Sequence, residues 1–315
     1  ILHSTLTCAA ALTWFFCQDI QKNARGEVLE LVTRAVICDI IPLLGINRSF
    51  AKFGLESLNK TTRPGLLALY QESGVTTISP YHVGFIIGPR LNAMGRLEHA
   101  IDSLRLLCTK DSSRARELAR ILGETNRARQ QLTEDAVTHA IDSLDANSLN
   151  AVIVVAHQSY DEGVIGLIAA KLVEKYSRPA IAISVGDSIS KGSARSIPGF
   201  DITSHLRGVK AILTNVGGHA MAAGFTVKSD KLIEFAQIIS SPDIFPDLLV
   251  KKQRVDCEIP LDAISLSLFS KLKEFEPFGL GNPTPTFLTT GVHISNLRHL
   301  GKLNQHLKFD ADGLE

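Results

Sequence analysis

The chain has 315 residues, of which 45% are hydrophobic, and its formal net charge at pH 7 is +1. This length predicts two or three domains, and the apolar content is ample for their cores. Because the charge is close to zero, a polyanionic partner would have to be held by local basic patches.

The cysteines and the first apolar run indicate the compartment. The run 7–17 is too short to span a bilayer and is predicted to be a core helix, without membrane association. The chain opens at Ile1 without methionine and ends at Glu315 after a strand-like run, so both ends are interpreted as cut. The cysteines lack a C-x-x-C pair and predict buried, reduced thiols of a cytoplasmic protein, not a zinc site or disulfide framework. They are Cys8, Cys17, Cys38, Cys108 and Cys257.

An aspartate interrupts the apolar stretch 27–41. Asp39 stands directly between Cys38 and Ile40, where an ionised carboxylate is costly unless it is compensated. Three explanations compete: a cap or turn partner before Pro42, an ion pair with Arg48, or a metal ligand.

A segment rich in basic and amide side chains follows at 88–100, with the sequence GPRLNAMGRLEHA. It is predicted to be a glycine-bounded loop. Arg90, Asn92 and Arg96 have no acidic neighbour before Glu98, so an external anion is their expected partner. The alternative is that the arginines are simply solvated.

Residues 111–145 carry apolar side chains at helical spacing after an Asp111-Ser112 cap, and predict a long connector helix. Its arginines alternate with glutamates and indicate a solvated face, although Arg127 and Arg129 could contact a phosphate. A strand at 151–156, a helix at 163–176 and a strand at 180–185 then predict a βαβ unit.

The stretch 192–224 has the strongest pattern for binding. It reads GSARSIPGFD and then, after a short helix capped by Asp201, NVGGHAMAAG. Arginine offers a planar fork to phosphate oxygens, and glycines leave backbone N–H groups free to approach an anion. The alternative is a tight turn and an ordinary strand edge. The candidate phosphate ligands are Ser193, Arg195, Ser196, Gly217, Gly218 and His219.

The last segment, from about residue 250, predicts a small β domain. Asp262 is expected to cap a helix over 263–275, and a Pro/Gly-rich linker leads into strands with Phe287 and Phe309 as candidate stacking residues. A small β domain without a binding role is the alternative. The basic residues of these strands are Arg298, His299, Lys302, His306 and Lys308.

These motifs resemble a known family. GSARSIPGFD followed by GGHAMAAG is similar to the DHH-associated domain of the DHH phosphoesterase superfamily, and most of all to RecJ-type single-stranded-DNA exonucleases. Further stretches extend the resemblance over nearly the whole chain: CDIIPLLGINR, GPRLNAMGRL, DEGVIGLIAAKLVEKYSRPAI and EPFGLGNPTPTF.

The resemblance implies residue roles. It makes Asp39 a ligand of a two-metal Mn²⁺ or Mg²⁺ site, and it places Arg90, Asn92 and Arg96 along the nucleic-acid path. Two departures stand out: no D-H-H triplet or upstream histidine-x-aspartate motif occurs, and Asp161-Glu162 replaces the family's histidine before GVIG.

The expected fold is α/β. It comprises the C-terminal part of a DHH catalytic domain (1–107), a connector helix (108–148), a DHH-associated substrate-binding domain with a mixed sheet (149–245) and a truncated oligonucleotide-binding (OB-like) β-barrel (250–315).

The expected function is part of a metal-dependent 5′-to-3′ single-stranded-DNA exonuclease of DNA repair and recombination, in which a metal-activated water attacks the phosphodiester. The fragment alone is expected to be inactive and monomeric, with single-stranded DNA as its partner and a single-strand-binding protein or helicase as further candidates. The alternatives are a non-catalytic nucleic-acid-binding module and a DHH phosphodiesterase for short oligonucleotides or cyclic dinucleotides.

Overall fold

A computed structural model describes residues 3–20, 28–145, 148–240, 246–301, 304 and 306–313. The chain forms two compact units, one made of Ile1–Ser57 with Gln253–Glu315 and the other of Leu58–Lys252. The α-helices are α1 (Ala9–Ile20), α2 (Leu29–Cys38), α3 (Gly45–Leu58), α4 (Pro64–Ser73), α5 (Gly88–Leu97), α6 (Ile101–Cys108), α7 (Ser112–Asp142), α8 (Ile165–Tyr176), α9 (Ile202–Gly208), α10 (Leu232–Ile239) and α11 (Leu266–Lys273). The strands are β1 (Ile153–His157), β2 (Ala180–Ser184), β3 (Ile189–Arg195), β4 (Leu213–His219), β5 (Ala222–Lys228), β6 (Cys257–Glu258), β7 (Phe287–Leu288), β8 (Ile294–Leu300) and β9 (His306–Ala311).

The first unit begins with α1, so the predicted helix is confirmed, but Ala11 is buried while Phe15 and Phe16 are exposed. Trp14 and Phe50 meet edge to face with ring centroids 5.1 Å apart, and the buried Thr33 hydroxyl donates to the Phe50 carbonyl at 2.8 Å. In the described part of the chain, no helix is both long and apolar enough to cross a membrane. Of the five cysteines only Cys8 is buried, so the prediction that all are buried is wrong.

The C-terminal part of this unit contains α11 and two small sheets. β6 pairs with β7 in parallel and β8 with β9 antiparallel. Ser265, not Asp262, caps α11, because its hydroxyl accepts from the Leu268 amide at 3.2 Å while Asp262 lies in a preceding 3₁₀ turn. Arg298 lies opposite Lys308, which concentrates positive charge on this hairpin. Lys302 lies outside the described residues.

The second unit begins with helices packed around α7. Asp111 caps α7 by accepting from the amides of Ser113 and Arg114, and thus confirms the predicted helix. The predicted loop at 88–100 is wrong, since a π-helix at His82–Ile87 continues directly into α5. Pro89 is tolerated there because the first turn of a helix does not need its N–H. Their shared core is formed by Leu69, Ile87, Leu91, Met94, Leu106, Leu118 and Leu122.

A five-stranded mixed sheet completes the second unit, with strand order β1-β2-β3-β5-β4. β1 and β2 are parallel and are connected through α8, so the βαβ prediction is confirmed. One face of β1 and β2 packs on α8 and the C-terminal half of α7, and the other face of the sheet packs on α9 and α10. Asp201 caps α9 as predicted, accepting from the Ser204 amide at 3.0 Å.

Candidate functional site

The site is organised around one face of β3. Ser193 and Arg195 alternate with the buried Ala194, so their side chains project to the opposite face of the sheet from Ala194. This is the face on which α8 packs against β1 and β2. Across β5, Ser193 lies opposite Gly224 and Arg195 opposite Ala222. Beyond β3, small residues therefore continue this face and leave it open.

Three arginines from different elements converge beside this face. Arg96 comes from the end of α5, Arg129 from α7 and Arg195 from β3. Burial, and after it the positive charge of Arg96, lowers the pKa of the Arg195 guanidinium. The same two causes lower the pKa of Arg129. Arg96 is thus close enough to repel each of the other two, and we call the three residues the arginine cluster.

Among the described residues, the arginine cluster forms hydrogen bonds only with neutral groups. Arg96 donates to the Gly163 carbonyl at 3.1 Å, and Arg129 donates to Asn126 Oδ1 at 3.0 Å. Arg195 donates to the Ala194 carbonyl at 2.9 Å and to Ser193 Oγ at 3.3 Å. Within the described ranges no carboxylate forms an ion pair with any of the three. In the same ranges the buried Nε of Arg129 has no partner. Because like charges repel and buried donors need acceptors, an anion placed at the cluster would be stabilised there.

Asn126 and Gly166 support this arrangement, and sequence reasoning missed both. Asn126 is only 2% exposed and orients the Arg129 fork from one turn earlier on α7. Gly166, in the first turn of α8, allows the Arg195 side chain to lie against the helix, since a Cβ there would stand 2.9 Å from Nη2. The i, i+3 spacing of Asn126 and Arg129 was the available signal.

Arg90 and Ser196 do not join the cluster. The Arg90 Nε donates to Glu72 Oε2 at 2.6 Å, so the expectation of an external anion is wrong for this residue. Arg127 is likewise paired with Glu72, at 2.8 Å. Ser196 is 5% exposed and donates to the Phe200 carbonyl at 2.5 Å, which stabilises the turn after β3.

The glycine pair and His219 lie in β4, at the edge of the sheet, and not in the tight turn that was the alternative. Gly217 lies opposite Gly224 and His219 opposite Ala222, so both share rows with Ser193 and Arg195 on the open face. Gly218 has a φ of +153°, and a Cβ there would stand 2.3 Å from the Ala222 carbonyl oxygen. Only glycine fits this backbone.

Asp39 lies in the other unit, exposed, as the residue that ends α2. Arg48 donates instead to the carbonyls of Phe275 and Glu276. Burial lowers the pKa of the Arg34 guanidinium, and the negative charge of the nearby Asp39 opposes this shift. Across the described residues, no hydrogen bond or ion pair engages the Asp39 carboxylate, so the ion pair with Arg48 is not formed.

The two residues that replace the family's histidine are used locally. Asp161 Oδ1 accepts from the Gly163 amide at 2.7 Å, and Glu162 pairs with Lys191 at 2.6 Å. Neither reaches the arginine cluster as an ion-pair partner.

Comparison with known proteins identifies the parts of this chain. Residues 148–241 match the DHHA1 domain, and residues 255–314 match the RecJ OB domain. The single-stranded-DNA-specific exonuclease RecJ of Bacillus subtilis is 34% identical over 290 residues, covering 90% of this chain and 37% of the relative. The RecJ of Thermus thermophilus is 32% identical over 307 residues, covering 97% and 45%.

Over at least 90% of its length the chain is similar to RecJ proteins. A crystal structure of Thermus thermophilus RecJ in complex with Mg²⁺ superimposes with a TM-score of 0.85 at 30% identity, covering 96% of this chain and 48% of that one. A Mn²⁺ complex of the same protein matches equally well. The predicted α/β fold with DHH-associated and OB domains is therefore confirmed. The chain spans less than half the length of these relatives.

Proposed function

We propose that the chain binds single-stranded DNA through one backbone phosphate held by the arginine cluster. The observation that carries this proposal is that Arg96 lies close to Arg129 and Arg195, and that no carboxylate among the described residues forms an ion pair with any of the three. Ser193 adds a hydroxyl beside Arg195, and the open rows ending at Gly217 and His219 leave room for the sugar-phosphate backbone. Arginine suits this role because its donors match phosphate oxygens two at a time.

The chain is further proposed to be part of a 5′-to-3′ exonuclease of DNA repair and recombination, with the held phosphate at the strand terminus or at the bond to be cut. Its support is the likeness to RecJ proteins that are named single-stranded-DNA-specific exonucleases. Arg90 and Asn92 are also proposed to lie along the nucleic-acid path, and the support for this is that both are neighbours of Arg96 on α5.

A divalent metal would supply the activated water in such an enzyme. The described residues contain no group of three metal-ligating side chains, so they do not fit a complete two-metal site. Asp39 is proposed as one ligand for Mn²⁺ or Mg²⁺ because its exposed carboxylate is unengaged within the described residues. No hydrolytic step follows from the residues that are present.

The chain should bind end-labelled single-stranded DNA but release no labelled nucleotide in the presence of manganese. Binding is measured by fluorescence anisotropy and digestion by gel electrophoresis, with Bacillus subtilis RecJ as the positive control. Digestion by the chain would contradict the assignment, because it would require a metal site that the described residues do not form.

Two alternatives are separated by specific observations. A non-catalytic nucleic-acid-binding module is favoured by the incomplete metal site among the described residues. A phosphodiesterase for short oligonucleotides or cyclic dinucleotides is disfavoured by the RecJ OB domain at 255–314, which suits a longer strand.

Gly166→Ala should separate binding from stability. Its Cβ would stand 2.9 Å from Arg195 Nη2 and 3.1 Å from Ser193 Oγ, so the Arg195 fork must move. Alanine also raises helix propensity by about 1 kcal/mol. We expect an affinity for single-stranded DNA lower by about 5-fold, the scale of one hydrogen bond, with an unchanged or higher urea midpoint.

The matched control for this variant is Gly208→Ala in α9, where an added Cβ meets nothing within 4 Å. An affinity loss shared by both alanine variants would show that Gly166 has no particular relation to Arg195.

A cytoplasmic location is supported by free cysteines and by the absence of a membrane-spanning helix among the described residues. A monomer that works with a single-strand-binding protein or helicase completes the proposal.

A further inference from the structure

An exposed aromatic pair precedes Arg96, one member of the arginine cluster, on the continuous helix formed by the π-helix and α5. Tyr81 is 60% exposed and Phe85 is 71% exposed, and their rings stack with centroids 5.2 Å apart and planes inclined by 25°. His82 meets Tyr81 edge-on at 5.8 Å, and its Nδ1 lies 2.7 Å from Ser79 Oγ. The two rings therefore already stack on each other at the surface of this unit.

The pair lies on one stripe with the proposed DNA contacts. Phe85 begins the stripe within the π-helix His82–Ile87, and Pro89, Asn92 and Arg96 follow at spacings of four, three and four residues. Residues so spaced share a helix face. Val83, Ile87, Leu91 and Met94, on the opposite face, are buried in the core of this unit.

We propose that Tyr81 and Phe85 form a stacking platform for one unpaired base of the strand whose phosphate the arginine cluster holds. This inference rests on the proposed function. Phe85 and Arg96 are 11 residues apart, which is about 16 Å along a helix. The platform thus receives a base a short way along the strand from the held phosphate, and the Asn92 amide lies between them.

Nucleic acid explains this stripe better than a protein partner does. The only large exposed apolar side chains on the stripe are the stacked rings, and they are followed by the partly buried Pro89, an amide and a guanidinium. An aromatic face followed by hydrogen-bonding and cationic groups in line is the arrangement that tracks a single strand, because every base has a π-face and every nucleotide a phosphate. A π-helix at this point also fits, since such turns are frequent at functional sites.

The test walks a single abasic site along a 5′-phosphorylated oligothymidylate and measures the affinity of the whole chain by anisotropy. For the wild type we expect one position at which removing the base weakens binding by about 5- to 150-fold, the range for one base-aromatic stack. In Phe85→Leu, removing the base at that position should weaken binding no more than removing a neighbouring base does, because the stack is already lost. Phe85→Trp should restore the position-specific loss.

The control is Phe53→Leu, which alters a phenylalanine of α3 that is 57% exposed, and it should leave the profile unchanged. Melting temperatures verify that the variants fold. If wild type and Phe85→Leu give the same abasic profile while Arg195→Met still weakens binding, the platform is wrong and the phosphate site stands. If the wild type binds no single-stranded DNA, both proposals are wrong.

Discussion

Arg195→Met is expected to remove the stabilisation that phosphate gives to the second unit, without weakening the ligand-free fold. A ligand at 100 times its Kd stabilises a protein by about 2.7 kcal/mol, which corresponds to a rise in melting temperature of roughly 5 °C for a protein of this size. The wild type should show this rise with a short 5′-phosphorylated oligonucleotide, and Arg195→Met should not. Because the variant relieves repulsion from Arg96, its ligand-free melting temperature should be equal or higher.

Two further substitutions separate charge from geometry at this position. Arg195→Lys keeps the charge but loses the paired donors of the guanidinium. The free energy of binding to single-stranded DNA should therefore become less favourable by about 1 to 3 kcal/mol, with an unchanged salt dependence. Arg195→Ala should also flatten the slope of log affinity against log salt by roughly 0.7 per lost phosphate contact. The loss should be uniform across base sequences, because phosphate contacts carry no sequence information.

Arg120→Met is the matched control, since it removes a charge from α7 that is paired with the exposed Glu124. It should leave both the melting-temperature rise and the DNA affinity nearly unchanged. If Arg195→Met and Arg120→Met show the same melting-temperature rise and the same DNA affinity, Ser193 and Arg195 do not bind phosphate and belong to an ordinary strand edge.

Local sequence patterns predicted the elements whose causes are local. The helix α7 follows from apolar periodicity and the Asp111 cap, and the parallel pair β1 and β2 follows from two apolar runs around a helix. Ser193 and Arg195 could be singled out because a hydroxyl and a guanidinium occur within a small-residue strand. Their position on the open face depends only on strand alternation.

The errors arise where a distant residue decides the outcome. Nothing near Arg90 in sequence reveals Glu72, which lies 18 residues earlier on another helix. Asp262 and Ser265 are both good caps, and only the observed start of α11 selects Ser265. Proline and glycine suggested a loop at 88–100, but the preceding π-helix already supplies the turn that α5 extends.

Glu72→Gln is expected to be the most destabilising conservative substitution in the second unit. The Glu72 carboxylate accepts from Arg90 at 2.6 Å and from Arg127 at 2.8 Å, and so ties α4 to α5 and α7. The side chains of Glu72 and Arg90 are only 13% and 17% exposed, so the amide would leave a largely buried guanidinium without its counter-charge. Breaking such a pair costs about 3 to 5 kcal/mol, whereas the 57% exposed Arg127 contributes little.

The measurement is urea unfolding of wild type, Glu72→Gln, Arg90→Met and the double variant. The double variant should recover most of the lost stability, because replacing both members of a buried pair is far less costly than removing one.

Glu117→Gln is the control, since it breaks the pair with Arg114 on α7, whose side chains are 53% and 45% exposed. Exposed pairs contribute about 0 to 1 kcal/mol, so this control should unfold close to the wild type. A loss for Glu72→Gln no larger than that of Glu117→Gln would mean that water, and not Glu72, compensates Arg90. The link from α4 to α5, and with it the position of Arg96, would then need another cause.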